Sequence, residues 1–237
     1  MTQINNVTFI GMGLINSSLA RTLKKKNFYK HSVAISRRKS TIKKIKKLKI
    51  VDRVESDYKK AVEKADLIII GVPVNAYESI LEKIKNYLKP DVIITDVGSV
   101  KKSVIEIFKK KLPKKIIFIP GHPIAGTEKS GPESGFDGLF KGGWCILTPE
   151  KKYNESAVEL IKKMWITAGM KVDVMESKHH DIVLAITSHI PHIIAYSIVG
   201  TVSNLEKSIK REVIKYAASG FRDFTRIAAS DPVMWRD

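Results

Sequence analysis

Short β-branched runs alternate with helix-length amphipathic segments through the first three quarters of the chain, and this alternation restricts the fold more than any single motif. Residues 7–10, 32–36, 67–71, 92–97, 116–120, 144–148 and 171–174 read as strands, and residues 14–25, 41–48, 57–64, 75–88, 101–111 and 154–168 as the helices between them. Strands this short and apolar, separated by helices, require parallel crossovers and a sheet covered on both faces. The expectation is a doubly wound, mostly parallel α/β sheet. After about Met175 the strand signal stops. Residues 181–203 and 208–218 read as helices, and Asp231-Pro232 opens another. The chain therefore divides into an α/β domain, residues 1–175, and a smaller all-α domain, residues 176–237.

The first strand runs directly into Gly11-Met12-Gly13-Leu14-Ile15 and a helix. Gly11 permits a tight turn, and Gly13 lets the backbone approach a pyrophosphate lying on the helix N-terminus, where unpaired N–H groups and the helix dipole favour anions. This predicts a Rossmann-type dinucleotide site built on Gly11, Gly13, Leu14 and Ile15. Asn16 stands where the fingerprint has its third glycine, so helix and strand are expected to be pushed apart, or the turn moved, with weakened binding. The second strand ends in Ser36-Arg37-Arg38 and not in a carboxylate, which leaves NAD and NADP both open.

Two further strands end in Gly71-Val72-Pro73 and Asp96-Val97-Gly98-Ser99-Val100-Lys101, on the ligand-binding edge of such a sheet. Val72 and Pro73 are placed against the cofactor. Ser99 reads either as a helix N-cap or as a site residue. His122, between Gly121 and Pro123, stands at a strand-to-loop junction and reads as catalytic. Ser188-His189-Ile190-Pro191-His192 puts two imidazoles on one helical face; further metal ligands could come only from His179, His180, Asp181 or His122, and without a paired motif such as His-Glu-x-x-His no metal is expected. Arg222 and Arg226 share a helical face and form a clamp for a carboxylate.

The charge excludes less than its size suggests. Lys and Arg number 42 against 24 Asp and Glu, a balance of +18 that attracts anionic metabolites, nucleic acid or membrane surfaces alike. Most of it is lysine on the polar faces of helices, without the interleaved aromatic residues of a nucleic-acid stacking platform, so no nucleic-acid partner is expected. Arginine is scarce, at eight residues, and four of them fall within the last 27, where a bidentate fork is wanted. Residues 182–202 are long enough to span a bilayer, but Ser188, His189, Pro191 and His192 interrupt them, and they read as a buried helix pair with no membrane. The single cysteine, Cys145, excludes an intrachain disulfide framework, and no secretory leader opens the chain; a cytoplasmic protein is expected.

The glycine turn, residues 96–101, the run from His122 through Gly126-Thr127-Glu128-Lys129-Ser130-Gly131, residues 188–192 and Phe221-Arg222-Asp223-Phe224-Thr225-Arg226-Ile227-Ala228 together resemble the prephenate dehydrogenase family, which includes the arogenate and cyclohexadienyl dehydrogenases. The resemblance implies oxidative decarboxylation of prephenate to 4-hydroxyphenylpyruvate in tyrosine biosynthesis, with hydride transfer to NAD or NADP; the alternative is arogenate, giving tyrosine directly. It implies that His122 takes the proton of the ring hydroxyl and Ser99 orients that hydroxyl. Arg226 then binds a carboxylate, Ser188, His192 and Arg222 line the pocket, and Glu128 and Trp235 complete it. Ser36 and Arg37 fall on the cofactor side. Other two-domain dehydrogenases, of β-hydroxyacids or imines, share the N-terminal half but lack the His122 run together with the arginine segment. A nucleotide-sensing regulator is supported by charge alone. Family members continue past the position of Asp237 through further helices of a dimerisation domain, so the chain is expected to be an obligate homodimer or an incomplete protein.

Overall fold

Residues Leu67–Ile70 are four consecutive branched aliphatic side chains, all wholly buried, which is the condition of a parallel strand covered on both faces. They lie at the middle of a six-stranded sheet. The computed structural model describes residues 4–127, 129–150 and 154–229. The strands are β1 (Ile4–Ile10), β2 (Tyr29–Ile35), β3 (Arg53–Glu55), β4 (Leu67–Ile70), β5 (Ile93–Asp96) and β6 (Ile117–Ile119), all parallel, in the order β3-β2-β1-β4-β5-β6. The connecting helices are α1 (Leu14–Lys25), α2 (Lys39–Leu48), α3 (Tyr58–Val62), α4 (Tyr77–Ile84) and α5 (Lys102–Lys111). Alternate strand residues face opposite sides. Val7, Phe9, Leu67 and Ile69 pack with Leu19 and Leu23 of α1, while Ile68, Ile70 and Ile94 pack with Ile80, Leu81 and Phe108 of α4 and α5.

A second sheet holds β7 (Gly121–Ile124), β8 (Trp144–Leu147) and β9 (Lys171–Val174), with β7 antiparallel and β9 parallel to β8. The expected doubly wound fold is present, but the last strands of the reading belong to this separate sheet. Two strands were not anticipated: β3, three residues long, and β7, whose Gly-His-Pro-Ile sequence has no strand signature of its own and is held by pairing His122 against Ile146. Between β8 and β9 runs α6 (Glu155–Ala168), opened by Asn154, whose side chain accepts from the Ala157 amide at 2.9 Å, and closed by Gly169 at φ +102°. Its Trp165 is wholly buried against Phe140, rings 5.4 Å apart and edge-on, in the same core as Phe9, Ile119 and Leu147 of the two sheets.

The chain forms two compact units, Met1–His180 and Asp181–Asp237. Helix α7 (Ser177–Leu184) carries it from one to the next. A π-helical turn, Ala185–His189, then leads into α8 (Ile190–Ser203), followed by α9 (Lys207–Lys215) and α10 (Ser219–Ala228). In this unit α8 packs on α10. The expectation of a buried helix pair is not met: Ser177–Ser203 is one continuous helical run, long and apolar enough to cross a bilayer by length and composition, and only 11% of its apolar window is buried. Ile186, Ile190, Ile193 and Ile194 are exposed. The reason is geometric, since α8 is apolar around its circumference and α10 can cover only one side of it. The helix expected at Asp231-Pro232 lies outside the described residues.

Because Trp165 fills the seam between the two sheets, Trp165→Ala is expected to destabilise the chain by about 3–5 kcal/mol, read as a shift of the urea midpoint. An unchanged midpoint would show that the sheets are held together elsewhere.

Candidate functional site

Strands β1, β4 and β5 end level, with Ile10 opposite Ile70 and Ile70 opposite Asp96. Just beyond them the glycine turn begins. Gly11 has φ +86°, and a Cβ there would fall 2.6 Å from the Gly71 carbonyl oxygen, so both the conformation and the space demand glycine. Gly13 is the extended N-cap of α1 and has no side-chain cap. The first turn of α1 carries no acidic residue, and a Cβ on Gly13 would meet nothing within 4 Å. A free, positively polarised helix start faced by open space fits the pyrophosphate of a dinucleotide. Leu14 is buried, Ile15 and Val72 are half-buried, and Pro73 is exposed ahead of the short helical turn Val74–Ala76.

Asn16 does not push α1 off the sheet. Its amide Nδ2 donates to the carbonyls of Gly11 at 2.8 Å and of Ile10 and Ile69 at 3.3 Å, tying the ends of β1 and β4 together. The space is supplied from across the crevice. A Cβ on Gly71 would lie 2.6 Å from Asn16 Nδ2, so the glycine missing at residue 16 is compensated by one at residue 71. At the end of β2 the Ser36 amide donates to Glu55 O at 3.0 Å, and Arg37 and Arg38 are exposed.

Ser99 is not a helix cap. Helix α5 starts at Lys102 with Lys101 as its N-cap, which leaves Ser99 exposed in the loop at the strand ends. His122 is the second residue of β7 and buried, and sits within a strand of its own where a strand-to-loop junction was expected. Its Nδ1 lies 2.9 Å from Nε2 of His180, itself wholly buried on α7. His180 is held in place locally: its amide donates to Glu176 O at 2.9 Å, and the Glu176 carboxylate accepts from the amides of Lys178 and His179, capping the helix. Beside them Asp96 and Lys101, both without exposed surface, form an ion pair at 2.5 Å. Tyr77 donates its hydroxyl to Asp96 at 3.1 Å; burial first, and the Asp96 carboxylate second, push its phenol well above the ordinary range, so it remains a donor.

Four further sequence-predicted residues, Ser188, His192, Arg222 and Arg226, lie in the second unit. Ser188 is half-buried in the π-helical turn and His192 half-buried on α8, where burial and the neighbouring His189 hold its imidazole below the usual value and so neutral near pH 7. Arg222 and Arg226, one turn apart on α10, are both exposed. Glu128 and Trp235 lie outside the described residues. Among the described residues no group of three or more His, Cys, Asp or Glu could hold a metal ion.

Comparison with known proteins gives this geometry its relatives. The family model described as prephenate dehydrogenase, nucleotide-binding domain, matches residues 19–174, and that described as prephenate dehydrogenase, dimerization domain, matches residues 176–237. The chain belongs to the prephenate dehydrogenase family. It is 42% identical to cyclohexadienyl dehydrogenase of Zymomonas mobilis over 240 residues, covering all of this chain and 80% of that protein. The crystal structure of Aquifex aeolicus prephenate dehydrogenase in complex with hydroxyphenyl propionate and NAD+ superposes with a TM-score of 0.91 at 35% identity, covering 100% of this chain and 82% of that one. Synechocystis arogenate dehydrogenase is similar at a TM-score of 0.80 and 27% identity, covering 98% and 81%.

Within this prephenate dehydrogenase fold four residues join the site without a role that the sequence assigns them: His180, Asp96, Lys101 and Tyr77. In the sequence His180 reads only as a candidate metal ligand, because its contact with His122 spans 58 residues and leaves no local trace. Asp96 and Lys101 were visible as a motif without a role. Tyr77 looked like an ordinary amphipathic-helix residue. The available signal was one Asp at the end of an apolar strand with a Lys five residues later.

The Asn16–Gly71 fit yields a test. Gly71→Ala is expected to cost about 1–3 kcal/mol by overpacking against the Asn16 amide. In an Asn16→Gly background the same change should cost measurably less, the coupling being read from urea midpoints of the double-mutant cycle. Additive costs would mean that the two residues do not share the space.

Proposed function

We propose that this chain catalyses the oxidative decarboxylation of prephenate, and that the observation carrying this reading is His122 held in β7 with its Nδ1 on His180. For His122 to act as a base through Nε2, its proton must reside on Nδ1 and be donated to His180 Nε2. When His122 then takes the hydroxyl proton of the substrate, that same contact becomes a charge-assisted hydrogen bond to the imidazolium. Ser99 orients the hydroxyl. A bound nicotinamide supplies the hydride acceptor for the carbinol C–H. As carbon dioxide leaves, the electron pair of its bond enters the ring, and the proton held by His122 returns to the phenolic oxygen. Arg226 pairs with a substrate carboxylate, with Arg222, His192 and Ser188 in supporting contacts. The prephenate dehydrogenase of Aquifex aeolicus, solved with hydroxyphenyl propionate and NAD+, and the cyclohexadienyl dehydrogenase of Zymomonas mobilis support this choice of substrate class. Arogenate is the second reading, favoured by the Synechocystis arogenate dehydrogenase.

Gly11, Gly13, Leu14 and Ile15 hold the pyrophosphate side of the cofactor, with Val72 and Pro73 across the crevice. Ser36 and the exposed Arg37 provide no carboxylate against a 2′-phosphate, so both NAD and NADP are taken. The apolar surface of α8 is covered by a second copy of the chain, in keeping with the dimerization domain matched at residues 176–237. A cytoplasmic location agrees with a single, buried cysteine.

The test is the absorbance of reduced cofactor with prephenate and arogenate each crossed against NAD and NADP. Turnover with prephenate and both cofactors is expected. Turnover with arogenate alone would move the chain to the second reading, and turnover with NAD but not NADP would remove Arg37 from the 2′-phosphate. No turnover in any arm would overturn the assignment.

A further inference from the structure

A buried ion pair is a poor source of stability, because desolvating two charges offsets most of their attraction and apolar replacements of similar volume are often neutral. Asp96 and Lys101 are nonetheless both wholly buried, with Nζ 2.5 Å from Oδ2. What the pair holds explains its position. Asp96 Oδ1 accepts from the Gly121 amide at 3.1 Å, and Lys101 Nζ donates to the Gly121 carbonyl at 2.8 Å. Both main-chain groups of the residue preceding His122 are thus bound to the two charges. Asp96 Oδ2 in addition accepts from the Gly98 amide at 2.9 Å, and Gly98 precedes Ser99. Gly121 lies where the chain leaves β6 of one sheet for β7 of the other, so the pair supplies bonds at a point where the direction of β7, and with it the His122 ring, is set.

We propose that the Asp96–Lys101 pair is the positioning device of the reaction, tying the residue before Ser99 to the residue before His122 and so fixing the separation of the two side chains that act on the substrate hydroxyl. The proposal rests on the reading of His122 and Ser99 given above. Neither charge touches substrate in this account; both act through the main chain. Tyr77, donating to the same Asp96 oxygen at 3.1 Å, restrains the carboxylate from the α4 side. An error of about 1 Å in a reacting group can cost about 10²-fold in rate, so loss of the clamp should be visible in kcat.

The deciding variant is Asp96→Asn with Lys101→Met, which keeps an acceptor for the Gly98 and Gly121 amides, leaves no unpaired charge in the interior and removes the donor to the Gly121 carbonyl. It is to be made in the full chain, alone and combined with His122→Asn. The expected result is a melting temperature close to the parent, a cofactor KM within about twofold, and a kcat lowered tenfold or more. In the His122→Asn background the same pair of changes should add little further loss, because the clamp acts through His122; a purely structural role would give independent, additive losses. A smaller fall in kcat, or additive losses, overturns the proposal. Near-parental kcat in His122→Asn alone would instead overturn the reading of the base on which it rests. Should the double variant not fold, Tyr77→Phe decides: kcat lowered at least threefold with both KM values unchanged supports the clamp, and any smaller effect overturns it.

Discussion

Between β1 and β4 the crossovers part to opposite faces of the sheet, α1 with Val7, Phe9, Leu67 and Ile69, α4 and α5 with Ile68, Ile70 and Ile94. No helix can then cover the carboxyl ends of these strands, and that vacancy is what the molecule is built around. Because β1, β4 and β5 finish level, the glycine turn, the Gly71 corner and the Asp96–Lys101 loop all open onto the same edge. The chain solves the crowding there by exchange. Asn16 takes the place of a fingerprint glycine and uses its amide to bind three strand-end carbonyls, while Gly71 gives up the volume that Asn16 occupies.

Polar groups are rationed in the interior. The sheet core is apolar apart from small hydroxyls such as Thr8, Ser32 and Thr95, whereas the buried amide, charged and imidazole side chains, Asn16, Asp96, Lys101, His122 and His180, all lie at or beside the ligand edge. Burying such groups stabilises little even when they are fully hydrogen-bonded, so their concentration at one edge reports a demand for geometry. The surface behaves in the opposite way. Its pairs, such as Lys24 with Asp52 and Lys162 with Glu159, are solvent-exposed and contribute at most about 1 kcal/mol each. The +18 charge therefore acts chiefly as a field that attracts anions of any kind.

What could be read from the sequence was local. The glycine turn with its helix Leu14–Lys25, the helix capped by Asn154 and the all-helical segment at the end are each encoded within a dozen or so neighbouring residues, and the structure has them where the patterns put them. The strand carrying His122 could not be read in this way, because it exists only by pairing with β8, more than twenty residues later. The contact between His122 and His180 is more distant still. The apolar run 182–202 was legible as a helix, but its burial was not: hydropathy says that a surface must be covered and is silent on whether the same chain covers it. Here α8 keeps its isoleucines at the surface, in the segment matched by the family's dimerization domain.

One proton is central to the proposed reaction. His180 engages Nδ1 of His122, so under the proposed function Nε2 is the base and the ring must be neutral before the reaction begins. The most direct measurement is the pH dependence of kcat/KM for prephenate in the parent and in His122→Asn. In the parent, activity should fall as pH drops and the imidazole is protonated, while in His122→Asn the rate should be about 10²-fold lower with that acid limb gone. An acid limb of unchanged shape in His122→Asn would contradict the account, since the titrating base would then be another group.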